Sequence, residues 1–372
     1  MARKKKDKGK QEPKGPRITR VIWDDLNSGL LRRSVRDDFR AIYDFYVDGK
    51  TREKHRKMGR FRRLMHGSWA VLKGMIYKLN SVRRLLLVLS LILMFIVGNI
   101  TIQENGNLQF NTRAAAYFIL LIVLLLELKD KLLARDELAA GRKVQFALLP
   151  KDPPEISGWD VWLYTRPAND VGGDLVDYLE LGDGRWGLVL GDVAGKGLGA
   201  ALYMAKLQAV WRLLAPDANS AAKLGERMNS SFYRDGLPNR FVSLIYLDIR
   251  EESGKVKLMN AGHLPLLARQ GNKFTVTSQG GPALGLTENS LYTEESIEFQ
   301  AGEVAFIYSD GLTEAKNNED QFYGEERLQE IFKEHSNKSV EEAGEAILAD
   351  VDAFIREEKA SDDISMILIK RR

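Results

Sequence analysis

Four aspartates between residues 174 and 362 stand beside glycines or at the ends of apolar segments, where carboxylates can share one site. In chain order they are Asp174 in 171–177, Asp192 in 191–197, Asp310 in 309–311, and Asp362 with its neighbour Asp363 before the apolar run 364–369. Carboxylates a few Å apart in a partly dry cleft repel one another, so cations or protons must neutralise them. Mg²⁺ and Mn²⁺ favour such oxygen ligands. The pattern predicts a divalent-metal site, with ordinary Asp-Gly turns as the alternative.

The composition excludes several other kinds of site. The chain has no cysteine, which rules out disulfides, thiolate zinc sites and cysteine nucleophiles. Its four histidines are scattered and form no spaced metal pair. Residues 1–84 hold 25 Lys or Arg against 9 Asp or Glu, so the net charge of +4 combines a basic N-terminal part with an acidic remainder. Beyond this charge nothing resembles a nucleic-acid recognition motif, and no nucleic acid is expected as a partner.

The N-terminal part divides into a tail and a helical region. Residues 1–15 are rich in Lys, Gly and Pro, which predicts a disordered basic tail. Over residues 16–82 the pattern is helical and basic, and apolar residues recur at roughly helical spacing between Met58 and Leu79. Such a region suits either a helix that lies against an anionic membrane surface or a small helical domain with a solvated basic face.

Two uncharged apolar runs, Leu85–Ile100 and Ala114–Leu126, predict a transmembrane hairpin over residues 83–128. Basic residues flank the pair on both sides. The positive-inside rule then places the N-terminus and the C-terminal domain in the cytoplasm, so the expected location is the inner (cytoplasmic) membrane, as a multi-pass protein. Two buried helices of a soluble domain are the alternative.

Residues 129–150 predict a helical linker that ends at Pro150. Apolar residues at a seven-residue spacing suggest a coiled coil, which Arg135 and Arg142 weaken. The linker is therefore predicted either to form the stalk of a homodimer or to pack as a single helix on the next domain.

Residues 151–372 mix strand and helix patterns and predict one α+β domain. Strand patterns cover Trp159–Arg166, Leu175–Leu181, Trp186–Leu190, Phe241–Ile249, Lys255–Met259, Leu264–Ala268 and Val304–Tyr308, and helical patterns cover Gly199–Leu214, Ala221–Arg234, Gly324–Glu334 and Val340–Glu358. Tight Gly/Asp turns between consecutive strands favour antiparallel pairing, and the long helices suit layers that cover the sheets.

Six short motifs of this domain resemble, in their order, a known family. They are Val171-Gly-Gly-Asp174, Gly191-Asp-Val-Ala-Gly-Lys-Gly197, Asn260-Ala-Gly-His-Leu-Pro265, Pro282-Ala-Leu-Gly285, Ser309-Asp-Gly311 and Ser361-Asp-Asp-Ile364. The family is the SpoIIE/RsbU-type branch of the metal-dependent (PPM, type 2C) protein phosphatases, and the resemblance covers about residues 135–370. It implies an αββα sandwich, in which helices flank two antiparallel sheets, with two or more Mn²⁺ or Mg²⁺ ions at one edge.

The resemblance also implies roles for individual residues. The implied metal ligands are Asp174, Asp192, the Val193 carbonyl, Asp310 and Asp362, with Asp363 as the alternative to Asp362. Asp192 and Asp174 would be the catalytic residues, and Asp192 would bridge two metals. Ser365 stands where the family often has threonine, and Leu175-Val176 where aromatics are common. Neither departure removes a ligand.

The implied activity is that of a membrane-anchored protein serine/threonine phosphatase that activates water between two metals. Its substrate would be a phosphorylated bacterial regulator of the anti-sigma-factor antagonist type, and the N-terminal region and linker would control it. Arg166 either binds a phosphate oxygen in bidentate geometry or is a surface residue. His263 lies in a turn motif that favours a structural role. The alternative function is a catalytically silent phosphatase-like scaffold or sensor at the membrane.

Overall fold

The computed structural model describes residues 42–43, 45–47, 49–56, 58–95, 99–103, 107–237, 240–277, 280–356 and 360–372. The chain forms two units, Met1–Lys131 and Leu132–Arg372. The disordered tail predicted for residues 1–15, and the start of the helical region predicted for 16–82, lie outside the described residues.

The first unit is mainly helical. Its elements are α1 (Gly49–Arg56), α2 (Arg60–Lys78), α3 (Ser81–Phe95), the antiparallel strands β1 (Asn99–Gln103) and β2 (Asn107–Asn111), and the first part of α4 (Thr112–Leu148). Within this unit the Arg83 guanidinium at the start of α3 donates to the carboxylates of Glu127 and Asp130 on α4. The helix predicted for residues 129–150 is the last part of α4.

The predicted transmembrane hairpin over residues 83–128 is wrong, and so is the multi-pass membrane location that rested on it. Among the described residues, no helix combines the length and the apolarity needed to cross a bilayer. The first apolar run is divided, because α3 ends at Phe95 after 15 residues and a strand begins at Asn99. The second run has only 13 residues before Glu127. At about 1.5 Å per residue it spans roughly 20 Å, against a hydrocarbon core of about 30 Å.

The second unit contains two five-stranded antiparallel sheets. The first has the order β10 (Glu295–Glu298), β7 (Lys255–Ala261), β6 (Val242–Arg250), β5 (Arg185–Val193), β4 (Leu175–Gly182); the second has the order β3 (Trp159–Arg166), β12 (Ile364–Arg371), β11 (Val304–Tyr308), β8 (Leu267–Gln270), β9 (Lys273–Val276). The remaining helices are α5 (Leu198–Leu214), α6 (Ala221–Arg234), α7 (Asp310–Thr313), α8 (Glu325–His335) and α9 (Val340–Ile355).

The sheets pack face to face, with helices on both outer sides. Alternate residues of β5 point to opposite faces: Leu188 and Leu190 are buried between the sheets, whereas Val189 is buried beneath α5 and α6 with Trp211. The second sheet is covered by α8 and α9, where Phe332 is buried. Strands covered on both faces give continuous apolar runs rather than an alternating pattern. The predicted αββα sandwich is confirmed.

The register of the first sheet brings two candidate aspartates to one end of neighbouring strands. Leu175, directly after Asp174, pairs with Gly191, directly before Asp192. Because β4 and β5 are antiparallel, the start of one strand lies beside the end of the other. Two segments that are separate in the sequence thus meet at this end of the sheet.

The second sheet does the same for the other pair. Tyr308, the last residue of β11, pairs with Met366 near the start of β12. Asp310 follows the one strand and Asp362 precedes the other, so both lie at this end of the second sheet. Position 311 requires a glycine, because a Cβ atom there would lie 2.0 Å from the carbonyl oxygen of Asp363. The chain segments therefore approach more closely than any side chain allows.

Candidate metal centre

Three of the four aspartates line a single cleft at the edge of the sandwich. Asp192, Asp310 and Asp362 share this cleft with Val193 and Lys196. Asp174 lies behind them and is only 6% exposed. Its Oδ2 atom is buried and has no hydrogen-bond partner among the described residues. An acceptor oxygen that is buried without a partner is costly, and a cation or proton relieves that cost.

The electrostatics of this cluster favour bound positive charge. Burial, followed by the charges of Asp310 and Asp362, raises the pKa of Asp192 to about 7, and a hydrogen bond from Asp174 partly offsets this rise. Burial and the charge of Asp192 raise the pKa of Asp174 well above its usual range. The pKa of Asp310 is also raised, mainly by burial. A nearby cation therefore favours the ionised form of these carboxylates at neutral pH.

Lys196 supplies one such charge. Its Nζ atom lies 2.8 Å from Asp362 Oδ2 and donates to the Ser361 carbonyl at 2.7 Å. Among the described residues no three His, Cys, Asp or Glu side chains converge closely enough to form a ready-made ligand set. The all-oxygen donors, their raised pKa values and the unpartnered Asp174 oxygen fit Mn²⁺ or Mg²⁺.

Asp362 and Asp363 have different environments. Asp362 faces the cleft. Asp363 is 7% exposed, and its carboxylate accepts the backbone N–H groups of Ala168 at 2.8 Å and Gly173 at 2.6 Å. A Cβ atom at Gly172 would lie 2.6 Å from Asp363 Oδ2, so this carboxylate can hold the turn only because a glycine is present. Asp362 thus stays the ligand candidate, and Asp363 fixes the turn that carries Asp174.

Arg166 lies elsewhere. Its guanidinium makes a bidentate ion pair with Asp352, at 2.6 and 3.1 Å. It lines a separate cleft together with Arg142 and Arg356. In the described part of the chain, the lysine or arginine that lines the carboxylate cleft is Lys196.

His263 also lines the carboxylate cleft but is 3% exposed. The Asn260 side chain closes its turn, accepting the His263 N–H at 2.8 Å and donating to the His263 carbonyl at 3.1 Å. Burial lowers the pKa of His263 to about 4. The imidazole is therefore neutral at pH 7, in agreement with a structural role for this motif.

The buried neutral His263 predicts a pH effect on stability. Its pKa is about 6.5 in the unfolded chain and about 4 in the folded one, so the unfolded state binds the proton more readily between these values. Its contribution is fully present above pH 6.5 and declines as the pH falls toward 4, by up to about 3 kcal/mol. Urea unfolding of wild type and His263→Gln at several pH values should show the two stabilities converging on acidification. A difference in unfolding free energy that stays constant with pH would contradict this. Both proteins contain the same aspartates, whose pH dependence has the opposite sign, so their contribution cancels in the difference.

Some residues that shape the site escaped the sequence analysis. Lys196 was named only as part of the motif 191–197, although a lysine between two glycines, four positions after an aspartate, was a usable signal. Ser309 and Ser365 were named only as positions of family motifs, and no local pattern indicated that their hydroxyls lower the pKa of Asp174. Nor did Gln145, which reaches the turn from 27 positions away.

Comparisons with known proteins identify relatives of this chain. The family described as Stage II sporulation protein E (SpoIIE) matches residues 182–372. Protein IcfG of Synechocystis sp. is 29% identical over 277 residues, which are 66% of this chain and 43% of IcfG. The phosphoserine phosphatase RsbU of Bacillus subtilis is 22% identical over 240 residues, 64% of this chain and 71% of RsbU. This chain thus spans less than half the length of IcfG.

A solved structure shows the same fold. The SiaA-PP2C domain of Pseudomonas aeruginosa superposes with a TM-score of 0.57 at 20% identity, covering 65% of this chain and 98% of that domain. The resemblance of the six motifs, the sandwich and the family match are consistent with one another. Because that match extends over more than half of the sequence, the chain belongs to the SpoIIE family, in the SpoIIE/RsbU-type branch of the PPM protein serine/threonine phosphatases, which are hydrolases.

Proposed function

We propose that the unit Leu132–Arg372 hydrolyses phosphoserine or phosphothreonine in a protein substrate, with Mn²⁺ or Mg²⁺ as cofactor. The observation that carries this proposal is the cleft shared by Asp192, Asp310 and Asp362, with Asp174 buried behind it. Family membership and the name of the relative RsbU, a phosphoserine phosphatase, support it.

We assign the ligands as the sequence resemblance implies. Asp174, Asp192, the Val193 carbonyl, Asp310 and Asp362 would hold the cations, with Asp192 as the ligand that both share. When bound, the cations supply the Lewis acidity that makes water nucleophilic near neutral pH and withdraws charge from the phosphoryl oxygens.

The residues of the chain provide positioning and charge around that chemistry. Lys196 lies on the cleft with a flexible stem, so its ammonium group can bind a phosphoryl oxygen of the substrate. We assign it the phosphate contact that the sequence analysis considered for Arg166, because Asp352 engages Arg166 outside this cleft. Asp363 keeps the turn before Asp174 in place through backbone N–H groups.

We further propose that the substrate is a phosphorylated regulatory protein of the anti-sigma-factor antagonist type. The similarity to RsbU and the six family motifs support this class. The domain limits at 129–150 for the linker and 151–372 for the phosphatase, and a homodimer through the linker helix, stay predictions of the sequence.

The proposal is tested by phosphate release from a phosphoserine protein of this class by the full-length chain. Release should require Mn²⁺ or Mg²⁺, stop on addition of EDTA and resume when excess metal is restored. Release that EDTA leaves unchanged would overturn the proposal. Mn²⁺ binding without any release would instead support the silent scaffold.

A further inference from the structure

The side chain of Gln145, near the end of α4, makes two hydrogen bonds to one residue of the metal-site turn. Its Nε2 atom donates to the Gly172 carbonyl at 2.7 Å, and its Oε1 atom accepts the Gly172 N–H at 3.1 Å. Gln145 is 6% exposed, so water competes little for these bonds. Because donor and acceptor are both engaged, the amide fixes the orientation of this segment of backbone as well as its position.

Two of the four residues of the 171–174 turn have no side chain that could hold it in shape. Gly172 and Gly173 lack side chains, and glycine has wide backbone freedom. The opposite side of the turn is fixed by Asp363, whose Oδ2 atom accepts the Gly173 N–H at 2.6 Å. Gln145 and Asp363, which belong to different segments of the chain, therefore bind the adjacent residues Gly172 and Gly173, immediately before Asp174.

We propose that Gln145 is a positioning residue for the metal site, which holds the 171–174 turn so that the Asp174 carboxylate meets the cation. The inference rests on the proposed function. Residues that orient metal ligands without touching the metal are worth about 10–100-fold in metal affinity. In this chain the orienting group lies on a helix remote in sequence from every ligand.

A second buried glutamine offers a matched control. Gln208 on α5 is 4% exposed and also contacts α4, because its Nε2 atom donates to the Leu148 carbonyl at 2.6 Å. Its other contact is Asp177 Oδ2, at 2.9 Å, rather than the turn at Gly172. If Gln145 merely attached α4 to the sandwich, loss of either glutamine would have the same consequences.

The experiment measures Mn²⁺ binding to the full-length chain by calorimetry, well below the unfolding temperature, for wild type, Gln145→Met and Gln208→Met. Methionine keeps the volume of the side chain and removes the amide. Gln145→Met should weaken Mn²⁺ binding by about 10-fold or more, and hydrogen exchange at the Gly172 amide should accelerate. Excess Mn²⁺ should restore most of kcat without changing KM for the phosphoprotein. Gln208→Met should keep the wild-type Kd for Mn²⁺, whatever it does to thermal stability.

Equal Kd values for Mn²⁺ in wild type and Gln145→Met would overturn the positioning role while leaving the phosphatase assignment intact. Failure of the wild type to bind Mn²⁺ or release phosphate would overturn both. If Gln145→Met does not fold, Gln145→Glu serves in its place, because it keeps the acceptor for the Gly172 N–H but has no donor for the Gly172 carbonyl. This variant, too, should bind Mn²⁺ more weakly than wild type.

Discussion

Full-length Asp192→Asn should release phosphate from a phosphoserine protein with a kcat/KM about 10³-fold below wild type, which corresponds to about 4 kcal/mol. Asp192 lies in the cleft beside Asp310 and Asp362, and we assign it to both cations. Asparagine keeps the shape of the side chain but carries no charge to hold two divalent ions. The assay compares initial rates over a range of Mn²⁺ concentrations, so that weaker binding and slower turnover are separated.

Stability measurements on the same variant distinguish a loss of metal binding from a failure to fold. The pKa of Asp192 is raised to about 7, so between about pH 4 and 7 the unfolded chain releases this proton more readily than the folded chain does, and stability falls as the pH rises. Above pH 7 and without metal, Asp192→Asn should therefore be as stable as wild type or more stable. It should also lack the rise in Tm that Mn²⁺ gives the wild type. Asp170→Asn, an exposed change in a neighbouring loop, is the control that should keep full activity. Normal turnover by Asp192→Asn would exclude the assigned metal role.

Asp177→Ala should lower the free energy of unfolding by about 3 kcal/mol, with little effect on turnover under conditions where the variant is folded. Asp177 is completely buried, and its carboxylate accepts from the Arg212 guanidinium at 2.7 Å and from the Gln208 amide at 2.9 Å. Removal of the carboxylate leaves these donors without an acceptor. This loss of unfolding free energy lies at the lower end of the range for a buried ion pair that loses one partner. The Arg212 side chain is 43% exposed, so water can hydrate it when Asp177 is removed.

Urea unfolding measures this loss, with Asp160→Ala as the reference. Asp160 pairs with Arg372 on the surface, where the two side chains are 45% and 58% exposed, so its removal should change stability by less than about 1 kcal/mol. Equal losses in the two variants would refute the stabilising role of the buried pair. A metal-binding defect in folded Asp177→Ala would show that Asp177 also supports the site.

The sequence predicted the sandwich well where strands are covered on both faces. Val304–Tyr308, which is buried along its whole length, has the predicted limits, and so does Trp159–Arg166, whose side chains are mostly half-buried. The strand predicted from Leu264 begins only at Leu267, after the turn that Asn260 closes and after Pro265, which has no N–H to donate. The edge strand Glu295–Glu298 gave no apolar signal, since most of its side chains are exposed.

The error over residues 83–128 has a physical cause. An apolar run reports that side chains avoid water, but it does not report how far a helix continues. Here the helix ends at Phe95 although apolar residues follow it, and Glu127 ends the second run within a longer helix. Run length alone was therefore a poor measure of helix length.

The sequence indicated which residues form the candidate site but not the hydrogen bonds and ion pairs that hold them. The aspartates could be recognised as candidate ligands because strand ends and flanking glycines are visible in the residues next to them. The distinction between Asp362 and Asp363 depends on N–H groups about 190 positions away, and the pairing of Arg166 depends on Asp352, 186 positions away. Such partners are chosen by tertiary packing, so no local pattern could reveal them.

The position of β12 has a consequence for synthesis on the ribosome. This strand lies between β3 and β11, and Thr165 on β3 meets Ser365 across 200 positions. Until the last of these segments emerged, a nascent chain would carry β3 and β11 without the strand that lies between them, and it would lack Asp362 for the same period. The unfinished polypeptide is thus exposed to edge-to-edge association until translation has passed this strand, and under the proposed ligand assignment its metal site is incomplete for the same period.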